Sequence, residues 1–97
     1  MASVTQQTEF APWIDRSLDY LTNEWAAVPA VAADWDRWDE ADRLDFALEW
    51  PIREDRLGQL ERWNLDGLLT PLQRQRYEKL QRLVSQHRSL LERLLSD

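Results

Sequence analysis

The single histidine, His87, is the first residue to test for catalysis, because imidazole is the side chain most often used as a general base. Ser85 and Ser89 lie two residues away on either side, and side chains at that offset do not face each other on a helix. His87 interrupts a row of leucines. We therefore interpret it as a half-buried packing residue or a polar residue that sets helix register, with a pH switch as the alternative.

The chain contains no cysteine, which excludes a cysteine–histidine nucleophile pair, disulfides and thiolate metal sites. A carboxylate pair for glycoside hydrolysis would need an enclosed pocket, and a helical domain of 97 residues rarely has one. No reaction class is suggested by the remaining side chains. We predict that the protein is not an enzyme.

Carboxylates crowd the segment 34–49 and could in principle bind a hard cation. On a helix, Asp42, Asp45 and Glu49 would share one face. The glycine and ligand spacing of a calcium-binding loop are absent, and no second segment supplies converging ligands, so a solvated acidic surface is favoured. We expect no metal and no cofactor. The acidic residues of this segment are Asp34, Asp36, Asp39, Glu40, Asp42, Asp45 and Glu49.

Six tryptophans are many for a chain of this length. Trp13 and Trp25 lie on an apolar stripe and are expected in the core. Trp35 and Trp38 stand among carboxylates, so burial in the core and exposure at an interface are equally weighted for them; tryptophans ringed by polar residues are typical of interface hot spots. Stacking on nucleic-acid bases is disfavoured by the surrounding negative charge.

The first helix is predicted over residues 11–27, because apolar side chains recur there at steps of three and four. Residues 1–9 are expected to form a flexible tail. Pro29, Pro51 and Pro71 then divide the chain at nearly even spacing, each where a helix should begin or end. The stripe consists of Phe10, Trp13, Ile14, Leu18, Leu21, Trp25 and Val28.

The segment after Pro29 has two interpretations. Val31, Trp35 and Trp38 share one helical face, whereas Ala41, Leu44 and Leu48 would point about 120° away on a straight helix at about 100° per residue. Either the helix breaks near Asp39, which then caps a new helix, or one continuous helix carries two apolar faces. The break is preferred.

Two further helices are predicted. Because Pro51 disfavours helical geometry at Trp50, the third helix should begin at Pro51 and end at Gly67. Thr70, Pro71 and Gln73 form a capping box that opens a helix of about 24 residues, about 36 Å long. Its apolar stripe is wide enough to pack partly on a second copy of the chain. The candidate oligomer seam is Tyr77, Leu80, Leu83, Val84, His87, Leu91 and Leu94.

These elements predict an all-α fold, a compact bundle of four or five helices with a long C-terminal amphipathic helix, in one domain spanning residues 1–97. Two glycines and four prolines are too few for a sheet protein. The first ten residues lack the charged and apolar regions of a signal peptide, and no apolar run reaches membrane-spanning length. A cytoplasmic location without membrane contact is expected.

The charge is divided between the two halves of the chain. Residues 1–49 hold eleven acidic and three basic residues, a net charge of −8, whereas residues 50–97 have a net charge of +2. The acidic half would be repelled by nucleic acid and attracted to a basic protein. We predict a binding surface for a basic protein, with no direct nucleic-acid contact. Its candidate residues are Trp35, Trp38, Asp39, Asp42, Asp45, Glu49 and Trp50.

The stretches LDFALEWPIREDRL (44–57) and LLTPLQRQRYEKL (68–80) resemble those of small bacterial helical proteins of toxin–antitoxin-type gene pairs. The resemblance covers about half of the chain and carries over no site residues. It implies a protein partner and an antitoxin or inhibitor role. Two alternatives remain: a homo-oligomeric structural or assembly protein, and an acidic mimic of nucleic acid.

Overall fold

The computed structural model describes residues 3–96, and this range contains helices and turns without a strand. Three long helices dominate: α1 (Val4–Ala26), α3 (Glu40–Leu65) and α4 (Pro71–Leu95). A seven-residue helix, α2 (Val28–Asp34), and a 3-10 turn (Trp35–Arg37) connect α1 to α3. The all-α prediction is confirmed, but three long helices replace the four or five that were expected.

Helix α1 begins earlier than the sequence pattern indicated. Ser3 and Gln6 form a capping box, so the part of the expected tail within residues 4–9 is helical; residues 1–2 lie outside the described range. The Gln7 side chain donates to the carbonyl of Gly67 at 3.0 Å, and Phe10 packs on Trp63 with ring centroids 6.3 Å apart. These contacts with the end of α3 hold the first turns of α1 in place, and Pro12 is accommodated inside the helix.

The predicted break at Asp39 is confirmed. Trp38 and Asp39 are extended, with ψ angles of 141° and 170°, and the Asp39 carboxylate accepts a hydrogen bond from the Asp42 backbone N–H at 2.8 Å. This is an N-cap, and Glu40 and Asp42 in the first turn complement the helix dipole.

The predicted boundary at Pro51 is wrong, because Pro51 lies inside α3, a continuous helix of 26 residues. Proline removes only one helical hydrogen bond, the one that the Ala47 carbonyl would accept. Packing offsets this loss. Trp50, just before the proline, is buried, and shortly after it Arg53 forms an ion pair with α1 and Glu54 forms one with α4. Tertiary contacts on both sides therefore keep the helix continuous.

The turn between α3 and α4 is as the sequence predicted. Gly67 has a φ of 75°, the left-handed conformation that commonly follows a helix end. The Thr70 hydroxyl accepts from the Gln73 N–H at 3.3 Å, and the Gln73 side-chain oxygen accepts from the Thr70 N–H at 3.0 Å. The capping box at the start of the long C-terminal helix is thus confirmed.

The three long helices form an elongated bundle of about 48 × 21 × 17 Å. Asp15 contacts Arg76 and Trp25 contacts Arg88, so α1 runs parallel to α4. Phe10 contacts Trp63 and Glu24 contacts Arg53, so α1 runs antiparallel to α3. The core is a layer of leucines and aromatics, each leucine stabilising the fold by about 1.5–3 kcal/mol. Its fully buried members among the described residues are Ile14, Leu18, Leu21, Trp25, Val28, Leu60, Leu69, Leu80 and Leu91.

Candidate functional site

The candidate oligomer seam on α4 is largely used inside the single chain. Tyr77, Leu80, Leu91 and Leu94 are buried, which is a correction to their expected place in an exposed seam. The physical reason is that α4 packs against both α1 and α2, so its apolar stripe completes the core. The three others, Leu83, Val84 and His87, are half-buried on the same side of the helix.

Of the two tryptophans expected in the core, one is buried and the other is exposed. Trp25 is fully buried, as predicted, whereas Trp13 is 59% exposed, which is a correction. The core side of α1 follows the regular spacing Ile14, Leu18, Leu21 and Trp25, and Trp13 lies one position, about 100°, away from that line. Arg16 covers part of its exposed ring.

A continuous aromatic cluster lies at the end of the bundle where α1 ends and α3 begins. Its rings run in the order Trp38, Trp35, Phe46, Trp50, Trp25, with successive centroids 5.6, 5.7, 5.4 and 5.2 Å apart. Trp35 and Trp50 are buried and Trp38 is half-buried. We call this part of the molecule the Trp38 end. Trp35 is thus in the core, one of the two alternatives weighed for it, and Trp50 is also buried, so both rings lie beneath the candidate surface rather than on it.

Two arginines tie the aromatic cluster to the neighbouring helices. Arg88 of α4 lies 5.0 Å from the ring centre of Trp25 and donates two hydrogen bonds to Glu54, at 3.0 and 3.4 Å. Arg53 lies 5.2 Å from the ring centre of Trp50 and donates to Glu24 of α1 at 3.1 Å. In each case one guanidinium combines an indole face with a carboxylate, the two partners that suit its planar charge.

An open groove of about 400 Å³ lies between α3 and the α1–α2 connection. Val31, Trp38 and Phe46 give it apolar walls. Asp42, Asp45 and Glu49 are exposed along its rim, and none of them is within ion-pair distance of a basic side chain in residues 3–96. Four of the seven predicted partner-binding residues thus meet in one place. Asp39 lies just before the groove as the N-cap of α3.

The outward face of α3 carries an apolar stripe next to this groove. Leu44, Leu48 and Ile52 follow one another at intervals of four residues and are 55%, 67% and 53% exposed. Asp45 and Glu49 lie between this stripe and the groove. We call the stripe and the adjoining carboxylates together the α3 outer face. Leu44 and Leu48 were expected to point away from the rest of the segment, but neither they nor Ile52 were among the predicted binding residues.

Within residues 3–96, no three histidine or acidic side chains are arranged to hold a metal ion, and the carboxylates of the groove rim are spread along it. His87 is half-buried on the core side of α4, with Ser85 and Ser89 exposed on other faces of the helix. No helix within the described residues is both long and apolar enough to cross a membrane.

The fold and surface define a small three-helix bundle with a groove that combines aromatic walls and an acidic rim. No protein-family model matches the chain, and no curated protein or solved structure is significantly similar to it.

Proposed function

We propose that this chain is a non-catalytic protein-interaction module whose α3 outer face binds a basic partner protein. One observation carries the proposal: three large apolar side chains are more than half exposed on one helical face and are bordered by carboxylates without ion pairs. Exposed apolar side chains that lie in a row with a polar rim are typical of protein–protein contact sites.

The charge of the rim favours a basic partner. Asp42, Asp45 and Glu49 are not neutralised within residues 3–96, so their field reaches the solvent. Such a field attracts positive surfaces and raises association rates at low ionic strength. The partner we propose carries apolar side chains that cover Leu44, Leu48 and Ile52 and basic side chains that face the rim.

An antitoxin or inhibitor role follows as the more specific form of this proposal. It rests on the resemblance of residues 44–57 and 68–80 to proteins of toxin–antitoxin-type gene pairs. The stretch 44–57 contains the apolar residues of the α3 outer face, so the resemblance and the exposed surface coincide. In this form of the proposal the partner is a basic cytoplasmic protein whose activity is blocked when the surface is covered.

The test compares two triple variants with the same change in chemistry. Leu44→Gln, Leu48→Gln and Ile52→Gln remove the apolar stripe, while Val4→Gln, Leu65→Gln and Leu72→Gln alter three residues that are equally or more exposed elsewhere. Proteins captured by the wild-type chain from extracts of its source cells are identified and their affinities measured. We expect the captured partner to bind the first variant at least tenfold more weakly, a loss of about 1.4 kcal/mol or more in binding free energy. Its affinity for the second variant should stay within about twofold of the wild-type value.

The alternatives give different results in the same experiment. If the apolar stripe joins two copies, sedimentation at micromolar concentration shows a dimer that the first variant dissociates, and binding to a basic partner is absent. If the chain mimics nucleic acid, duplex DNA competes with it for the captured protein. Equal loss of affinity in both triple variants would overturn the assignment of the surface.

A further inference from the structure

We infer that the groove beside Trp38 is a receptor for one arginine side chain of the partner. This inference rests on the proposed function and adds to it the identity of the residue that enters the site. It is carried by a pattern that the chain itself repeats: guanidinium groups placed on indole rings and held by carboxylates.

The pattern is complete at two places in the Trp38 end. Arg53 lies over Trp50 and is bound by Glu24, and its side chain is only 12% exposed. Arg88 lies over Trp25 and is bound by Glu54. Both guanidinium groups have an aromatic face on one side and carboxylate oxygens at the edge, so charge and apolar surface are satisfied together.

At Trp38 the same components are present without the arginine. Four of the six tryptophans have an arginine of the chain over the ring, namely Trp13, Trp25, Trp35 and Trp50. No such arginine lies over Trp38 within residues 3–96. Its half-buried ring forms a wall of the groove, and Asp42, Asp45 and Glu49 stand along the opening. The indole and the carboxylates are therefore free to receive a cation from outside the chain.

The one basic side chain in the groove does not take this place. Arg53 lines the groove at one end, but its guanidinium is paired with Glu24 and stacked on Trp50. Its charge is thus compensated locally, while the three rim carboxylates retain theirs. Charge complementarity selects a cation, and the apolar walls Val31, Trp38 and Phe46 select one with an apolar stem.

Arginine fits this combination better than lysine. A planar guanidinium can lie on an indole and donate two parallel hydrogen bonds to a carboxylate, whereas an ammonium group is a compact and strongly hydrated charge. The groove is open at the surface, so an arginine projecting from a partner helix or loop that covers Leu44 and Leu48 can reach it without a change in the fold.

The experiment uses small probes and the full chain. N-acetyl-arginine amide, its lysine counterpart and its uncharged citrulline counterpart are titrated into the ¹⁵N-labelled protein, and the six indole N–H signals are followed by NMR. The Trp38 signal is assigned with Trp38→Phe. We expect a saturable shift of the Trp38 signal with the arginine probe, at least threefold weaker binding of the lysine probe, and no binding of the citrulline probe.

Two charge-matched variants separate the groove from general electrostatics. D42N/D45N/E49Q removes the rim, and D55N/E78Q/E92Q removes three exposed carboxylates elsewhere that form no ion pair within the described residues. The first should weaken arginine binding at least tenfold and the second less than twofold. D45N/E49Q replaces the first variant if loss of Asp42 from the first turn of α3 unfolds the chain.

The outcomes distinguish this inference from the proposed function. Equal binding of the citrulline probe, equal loss in the two charge variants, or no saturable shift at Trp38 would overturn the arginine site. The captured protein could then still depend on Leu44, Leu48 and Ile52, which would leave the α3 outer face as the binding surface. If that dependence is also absent, both proposals fail.

Discussion

The two ends of the bundle treat their polar groups differently. At the end where α4 begins, Gln73 is buried, and its side chain bonds to the Thr70 N–H, the Ala11 carbonyl at 3.4 Å and the Asp15 carboxylate at 2.9 Å. Arg76 adds ion pairs to Asp15 and Asp19. We call this the Gln73 end. At the Trp38 end, by contrast, the buried indole N–H groups of Trp25 and Trp35 have no hydrogen-bond partner within the described residues.

The surface carboxylates of the two ends also differ in whether they are paired. At the Gln73 end the carboxylates Asp15 and Asp19 are paired across the α1–α4 contact. At the Trp38 end Asp42, Asp45 and Glu49 are unpaired within residues 3–96 and adjoin an exposed apolar stripe. A buried donor without a partner costs about 1–3 kcal/mol, and like charges on one helix face add repulsion. The Gln73 end thus pairs its polar groups within the fold, whereas the Trp38 end leaves donors and carboxylates unpaired within residues 3–96, as the proposed contact surface requires.

The largest expected effect tests whether the aromatic cluster is nevertheless part of the core. Trp25→Ala should lower the free energy of unfolding by about 3–5 kcal/mol, because it removes a fully buried ring and the packing of Trp50 and Arg88 on it. Trp13→Ala, on the same helix but exposed, is the control and should change it by no more than about 0.5 kcal/mol. Urea unfolding followed by circular dichroism measures both. Similar losses for the two variants would contradict the assignment of Trp25 to the core.

The next effect tests the polar connection at the Gln73 end. Gln73→Leu should destabilise the fold by about 1–3 kcal/mol, since it keeps the volume but leaves the partly buried Thr70 N–H and the Asp15 carboxylate without their partner. Gln75→Leu, the same substitution at an exposed position of the same helix, is the control. Thermal unfolding of both variants decides the matter. A Gln73→Leu variant as stable as the wild type would mean that the two ends do not differ as described.

A smaller effect concerns alkaline pH. Burial, and then the nearby charge of Glu61, raises the pKa of Tyr77 above 10.0, although a hydrogen bond with Gln81 opposes the shift. The folded chain therefore favours the neutral phenol more than the unfolded chain does. This stabilisation is complete below about pH 10 and is lost as the pH rises through the pKa of the folded state. In urea unfolding above pH 10, Tyr77→Phe should show a shallower fall in unfolding free energy than the wild type, and equal falls for the two proteins would contradict the pKa shift.

The smallest effect concerns stability at the Trp38 end. The variant D45N/E49Q should be as stable as the wild type or more stable by about 0.2–0.5 kcal/mol, because it removes a like-charge pair four residues apart on α3. The gain should shrink in high salt, since screening already weakens the repulsion of exposed charges. A loss of more than about 1 kcal/mol would indicate that these carboxylates serve the fold rather than a partner.

Features that depend only on neighbouring residues could be predicted from the sequence. The N-cap at Asp39, the capping box of Thr70 and Gln73 and the left-handed Gly67 depend on residues within four positions of each other. The sequence could not show that α3 continues through Pro51, because this depends on contacts of Arg53 and Glu54 with residues far away in the chain. The helix count was wrong for this reason.

The candidate site was predicted in part. The clustering of carboxylates at residues 42, 45 and 49 follows from helical spacing, and Trp38 lines the same groove. Burial of Trp35 and Trp50 could not be inferred, since it requires the rings of Phe46 and Trp25 from other turns and helices. The apolar stripe had a signal in the sequence: Leu44, Leu48 and Ile52 recur every four residues, out of phase with the core positions Trp50 and Leu60.

Covalent labelling of carboxylates tests most directly whether a partner covers the Trp38 end. The free chain and its complex with the captured protein are treated with a carbodiimide and an amine, and the labelled positions are quantified by mass spectrometry. We predict that labelling of Asp45 and Glu49 falls severalfold in the complex, while labelling of Glu78 and Glu92 on α4 is unchanged. Protection of Glu78 and Glu92 with Asp45 and Glu49 still fully labelled would contradict it.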